Sequence, residues 1–194
     1  MTNFLEDDLD DKGELLPPNT KVIQINLIGV IYTAKLAIHY IRKTQGKGSV
    51  VLTGSASSFQ QMMIPDYTCA KTGVLGLMRG MMHLMNNADL PIRMNVLGPQ
   101  WVQTNIVPTD AFKLIGEAAQ TPDFIARQVA YLMADETRHG QFLFSDCYVV
   151  KEIERPTQEL IDGFLERKAP GWAGLNETLA LWTAGNNVEL TSKE

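Results

Sequence analysis

Tyr67 and Lys71 stand four residues apart in PDYTCAKTG, residues 65–73. At that spacing on a helix both side chains fall on one face and can meet. An ammonium beside a phenol favours the ionised phenol, and a tyrosine so placed can pass a proton to or from a substrate oxygen near neutral pH. Ser55, in the small-residue turn GSASS (54–58), offers a second hydroxyl to hold a carbonyl or alkoxide oxygen. Spacing alone does not make this a site, because any exposed helix carries such pairs. The chemistry depends on what the rest of the chain builds around them.

Between Asn19 and Arg42 the apolar residues Ile23, Leu27, Val30, Ala34, Ala37, Ile38 and Ile41 recur at helical spacing. They predict an amphipathic helix over 20–43, capped by Asn19 or Thr20. SVVLTGS (49–55) reads as a short buried strand, followed by a loop from Ser57 to Asp66. A second helix is expected over 66–86 with Asp66 as its cap. Pro91 opens a strand at IRMNVLG (92–98), and helical patterns cover 109–118 and 122–135. The latter starts with a Thr121 cap and Pro122 at the first helical position. QFLFSDCYVV (141–150) reads as a third strand. The last forty residues hold helical pieces at 159–168 and 177–184, with Trp172 and Trp182. Alternating strand and helix predict an α/β fold with a parallel sheet of about three strands flanked by helices.

Composition excludes several classes. The chain has 194 residues, 45% hydrophobic and 20% charged, which suits one globular domain. Its formal charge of -5 argues against non-specific nucleic-acid binding. Residues 6–14 hold six acids against one lysine, so 1–18 reads as an acidic, flexible tail ahead of a catalytic part at 19–150 and a helical extension at 151–194. With no run of eighteen uninterrupted apolar residues, no membrane span is expected. The acidic start lacks the marks of a signal or transit peptide, and two cysteines, Cys69 and Cys147, suit a reducing compartment; a cytoplasmic protein is expected.

In order, these motifs resemble the short-chain dehydrogenase/reductase family from about residue 19 to 150. INLIGV (25–30) is similar to its asparagine-bearing helix, SVVLTGSAS to its serine strand, YTCAK to its tyrosine–lysine turn, and RMNVLGPQWVQT (93–104) to the segment closing over the nicotinamide. The tail from Gly140 is similar to fungal-type members. The resemblance implies a truncated Rossmann-like sheet. It also implies roles: Tyr67 as acid/base, Lys71 as its partner and ribose ligand, Ser55 as orienter of the carbonyl, and Asn26 as holder of a relay water. If NAD(P) is bound, the same resemblance assigns it to Tyr67, Lys71, Pro99, Val102 and Thr104.

The sequence also departs from the family. It contains no G-x-x-x-G-x-G turn for a pyrophosphate, and Gln100 stands where the family usually has glycine. On these grounds the chain looks like the C-terminal part of the family fold, and no cofactor is expected. The expected function is cofactor-independent acid/base chemistry on a carbonyl-containing small molecule: an isomerase, dehydratase or cyclase. The alternatives are an NAD(P)-dependent oxidoreductase and a non-catalytic interaction subunit. Met62, Met63 and Trp101 are the candidate apolar contacts for a substrate, while the methionines at 78–85 suit core filling. Cys69 is expected to be packed and inert. His39, His83 and His139 have no ligand spacing, so no metal is expected. A three-stranded sheet with bare edges suggests a homodimer or higher oligomer, through helices 20–43 and 66–86. Gly73, Gly76 and Gly80 would permit close helix approach there.

Overall fold

A computed structural model describes residues 4–44, 46–87, 90–107, 109–116 and 119–165. Contacts divide the chain into two units, residues 1–154 and 155–194. The first unit opens with the acidic stretch, in which Leu9 bridges Leu15 and Asp10 Oδ1 accepts the N–H groups of Lys12 and Glu14. Helix α1 then runs over Lys21–Lys43, with Asn19 Oδ1 accepting the Lys21 N–H at its start. The segment Gln24–Ile28 within it is wound as a π-helix. Strand β1 (Gly48–Thr53) leads through a short 3₁₀ turn (Ala56–Ser58) to α2 (Pro65–Asn87). Then follow β2 (Ile92–Pro99), α3 (Thr109–Ile115), α4 (Pro122–Ala134), β3 (Phe142–Asp146) and β4 (Val149–Glu152). Helix α5 (Glu154–Phe164) begins at the unit boundary, and within the second unit its Arg155 pairs with Glu159. The helical piece expected at 177–184, with Trp172 and Trp182, lies outside the described residues.

The sheet has the order β1-β2-β3-β4, parallel across its first two pairs and antiparallel at the last. Side-chain alternation along the strands divides the core into two layers. Val50, Leu52, Ile92, Met94, Val96 and Phe142 face α1 and α2, where they meet Ala34, Val74, Leu75, Met78 and Met85. Leu97 and Leu143 face the other way, onto Leu132, Ile125 and Val129 of α4. Leu27, Val30, Ala34, Ala37, Ile38 and Ile41 pack against the core of sheet and α2 residues as the sequence pattern expects, with the winding altered to a π-helix at Gln24–Ile28. By length and composition α1 is apolar enough to cross a bilayer. Its inner face packs against the core, although Ala34 alone of Gly29–Lys43 is fully buried.

Three expectations are corrected. Residues 141–150 are not one strand: the chain reverses at Cys147 and Tyr148, with φ of 47° and 62°, and returns as β4. Both residues take the left-handed conformation that a two-residue hairpin turn requires. Tyr148 is held by a bond from its hydroxyl to the Ala119 carbonyl and an edge contact with Phe124 at 5.0 Å. Asp66 is not the cap of α2, because Pro65 already occupies the helix start with its fixed φ. Asp66 instead lies buried in the first turn. Cys69 is exposed rather than packed, on the outward side of α2.

Two glycines set the spacing beneath the site. A Cβ on Gly98 would overlap the Phe142 ring, and one on Gly54 would come within 2.8 Å of Val96 Cγ1. Phe142 is fully buried, so neither strand end has room to yield.

Candidate active site

Ser55, Tyr67, Lys71, Pro99, Val102 and Thr104 all follow the carboxyl ends of β1 and β2, or start the helix after β1. That is the edge of an open α/β sheet at which ligands bind. Hydrogen bonds fix most of the constellation. Ser55 caps the 3₁₀ turn, its Oγ accepting the Ser57 N–H at 3.3 Å. Ser58 Oγ accepts the Ser55 N–H at 3.3 Å and donates to the Lys71 carbonyl at 2.8 Å. The serine turn and the tyrosine–lysine turn are thereby riveted together.

Lys71 reaches back the other way, its Nζ donating to the Thr53 carbonyl at 2.9 Å. The same Nζ lies 5.6 Å from the centre of the Tyr67 ring, so the four-residue spacing does bring the pair together. Only 7% of Lys71 is exposed, and burial pulls its pKa below the ordinary lysine value. Phe59, closing the turn, packs edge-on against Phe142 at 4.7 Å and sits under the Arg79 guanidinium. Arg79 in turn holds Glu154 by two bonds of 2.6 and 2.9 Å.

Asn26 lies in the π-helical segment of α1, beside Leu27, which presses against Gly73 just beyond Lys71. Its amide donates to Val22 O within its own helix, not to Tyr67 or Lys71. Thr104 and Trp101 are exposed, Met62 is half-buried, and Met63 stands wholly in solvent. Gln100 reaches the loop after β1, its Nε2 lying 3.5 Å from Gln60 Oε1. An open cleft of about 570 Å³, lined by Lys47, Arg93, Glu136 and His139, lies at the opposite edge, by the amino ends of β1 and β2. There Arg93 is engaged by the carbonyls of Leu132, Met133, Asp135 and Arg138 at the end of α4. Among the described residues no three His, Cys, Asp or Glu side chains are placed to hold a metal.

The donor set fits the nicotinamide-ribose end of NAD(P). Lys71 has two N–H donors beyond the one given to Thr53, suited to a ribose diol. The Tyr67 hydroxyl would offer a second ribose contact, and Val102 and Thr104 follow the carboxyl end of β2.

Sequence reasoning missed Ser58, the Thr53 carbonyl that holds Lys71, and the buried hydrogen-bonded pair Ser145–Gln120 beneath the segment after β2. The pattern Ser55-x-x-Ser58 was a readable capping signal. The others depend on contacts between residues distant in the chain.

The short chain dehydrogenase family model matches residues 17–112. The short-chain dehydrogenase/reductase ascJ of Acremonium egyptiacum is 34% identical over 155 residues, covering 78% of this chain and 52% of that protein. (-)-trans-Carveol dehydrogenase of Rhodococcus erythropolis is 39% identical over 98 residues, 49% of this chain and 35% of its own length. Among solved structures, 3-hydroxyacyl-CoA dehydrogenase type-2 from Mycobacterium avium superposes with a TM-score of 0.60 at 25% identity, covering 75% of this chain and 63% of that one. The chain belongs to the short-chain dehydrogenase/reductase family and has its Rossmann-like α/β fold. It spans about half the length of the ascJ protein.

Ser58→Ala removes the rivet between the two turns and leaves the Lys71 carbonyl without that donor. It should destabilise the chain by about 1–2 kcal/mol in urea unfolding. An unchanged midpoint would show that the rivet carries no weight.

Proposed function

We propose that this chain carries the acid/base and substrate-facing part of an NAD(P)-linked oxidoreductase acting on a secondary alcohol or ketone of a small, largely apolar molecule. The observation behind this reading is the placement of Lys71, buried between the Thr53 carbonyl and the Tyr67 ring beside the Ser55 turn. Membership of the family and the dehydrogenase names of the relatives support it. The expectation of cofactor independence finds no such support.

In this reading the Ser55 hydroxyl is oriented by the Ser57 N–H on its oxygen and donates its hydrogen to the substrate oxygen. Tyr67 takes the proton from that oxygen in the alcohol direction and returns it in the ketone direction. Lys71 supplies positive charge beside the phenol and two further donors for a ribose. NAD(P), which Tyr67 and Lys71 would hold, would supply hydride transfer at the carbinol carbon, the alcohol and NAD(P)+ giving the ketone, NAD(P)H and a proton. Met62, Met63 and Trp101 offer apolar surface to the substrate's ring or chain. Gln100, in place of the small residue expected there, favours a second reading: proton transfer alone, as in isomerisation, dehydration or cyclisation.

The monoterpenol carveol with NAD+ or NADP+ is a suitable first substrate. Tyr67→Phe should lower kcat/KM by about 100-fold or more at unchanged fold. Equal turnover in wild type and Tyr67→Phe would refute the assignment.

The same proposal includes a second copy of the chain on α1 and α2. Ile25, Ile28, Tyr32, Leu36 and Tyr40 form an exposed stripe on α1. On α2, Gly76 and Gly80 face open space, whereas Gly73 is filled by Leu27. Sedimentation should show a dimer that Gly76→Asp dissociates; a monomeric wild type would remove this part.

A further inference from the structure

Ser145 and Gln120 are fully buried polar residues that no step above uses. Ser145 lies on β3 and Gln120 just before α4, twenty-five positions apart in the chain. Ser145 Oγ donates to Gln120 Oε1 at 2.5 Å, and Gln120 Nε2 donates back to the Ser145 carbonyl at 3.0 Å. The pair therefore exchanges two hydrogen bonds and leaves little of either side chain unsatisfied in a dry environment.

Around this pair the chain leaving β2 is tied down. The Ser145 carbonyl also accepts the Gln100 N–H at 2.8 Å. Gln120 N–H donates to the Trp101 carbonyl and Gln103 N–H to the Gln120 carbonyl, each at 2.9 Å, making the parallel bridge between Val102 and Gln120. Gln103 Nε2 adds a bond of 3.1 Å to the Ala119 carbonyl. Backbone bonds thus hold residues 100–103 to Ser145 and Gln120, and the two buried side chains lock Gln120 to β3. Val102, Trp101 and Thr104 belong to or directly follow that segment.

We propose that Ser145 and Gln120 are positioning residues for the active site. They fix the segment Gln100–Gln103, and with it Val102, Trp101 and Thr104, at the carboxyl end of β2. The proposal rests on the oxidoreductase reading for the use of those residues, while the tether itself is tested separately. Neither residue touches a substrate or cofactor; each acts through the backbone it holds.

The test is amide hydrogen exchange on the full 194-residue chain and three variants: Ser145→Ala, Gln120→Met, and the two combined. Each single change leaves a buried polar partner unpaired and lowers Tm. The double change removes both partners, so its Tm should return towards wild type. If the pair is a tether, exchange at Gln100, Gln103 and Gln120 accelerates about 10-fold or more in all three variants, with β1 unchanged. It stays fast in the double variant even as Tm recovers. NADH affinity, read by nicotinamide fluorescence, falls about 10-fold in the same three variants, since one lost buried bond has that scale.

Exchange that is unchanged, or that recovers together with Tm, overturns the proposal and leaves the pair as ordinary core polarity. Faster exchange with unaltered NADH affinity overturns its connection to the site. A wild type that binds no NADH refutes the oxidoreductase reading instead, and the exchange result still decides the tether. If Ser145→Ala fails to fold, the double variant carries the comparison.

Discussion

Lys71 makes two hydrogen bonds of opposite sense to the end of β1 and the turn after it. Its ammonium donates to the Thr53 carbonyl, and its own carbonyl accepts from Ser58 Oγ. A strand leaving a sheet would otherwise be free to swing with its loop. Here its last residue, its serine turn and the first turns of α2 form one piece. An unpaired buried ammonium would be costly, so the Thr53 carbonyl is a condition for Lys71 to be buried at all. Burial in turn is what depresses its pKa.

The same piece rests on the hydrophobic core. Gly54 and Gly98 leave room for Phe142, and Phe142 receives the edge of Phe59 at the close of the serine turn. Arg79 covers Phe59 from α2 and is held by the buried carboxylate of Glu154. Packing and polar contacts therefore converge on the six residues after β1, Gly54–Phe59. Segment 100–103 depends on a separate support, the Ser145–Gln120 pair on the opposite side of β2. The two supports share β2 and β3, whose register fixes their distance from one another.

Much of this was legible from local pattern. The inner face of α1, the strands β1 and β2, and the Thr121–Pro122 start of α4 each carry their own periodicity or capping chemistry. So does the meeting of Tyr67 and Lys71. The β3–β4 reversal was not legible, because Cys147 and Tyr148 are not residues that favour positive φ, and tertiary contacts of Tyr148 hold the turn. Asn26 could be placed on α1 by its motif, but its bond to Val22 within a π-helical segment could not. Ser145 and Gln120 read as an ordinary strand residue and an ordinary loop residue until the fold brings them together. The Thr53 carbonyl, as backbone, leaves no trace in the sequence.

The claim that Lys71 is both the partner of Tyr67 and a ribose ligand is tested most directly by calorimetric titration of the purified chain with NADH and NADPH, beside Lys71→Met and Ser55→Ala. Saturable binding that weakens about 10-fold or more in Lys71→Met, and is little changed in Ser55→Ala, is the predicted result, because only the first variant removes charged donors to a ribose. Absence of binding by the folded wild type, or binding indifferent to Lys71, would contradict it.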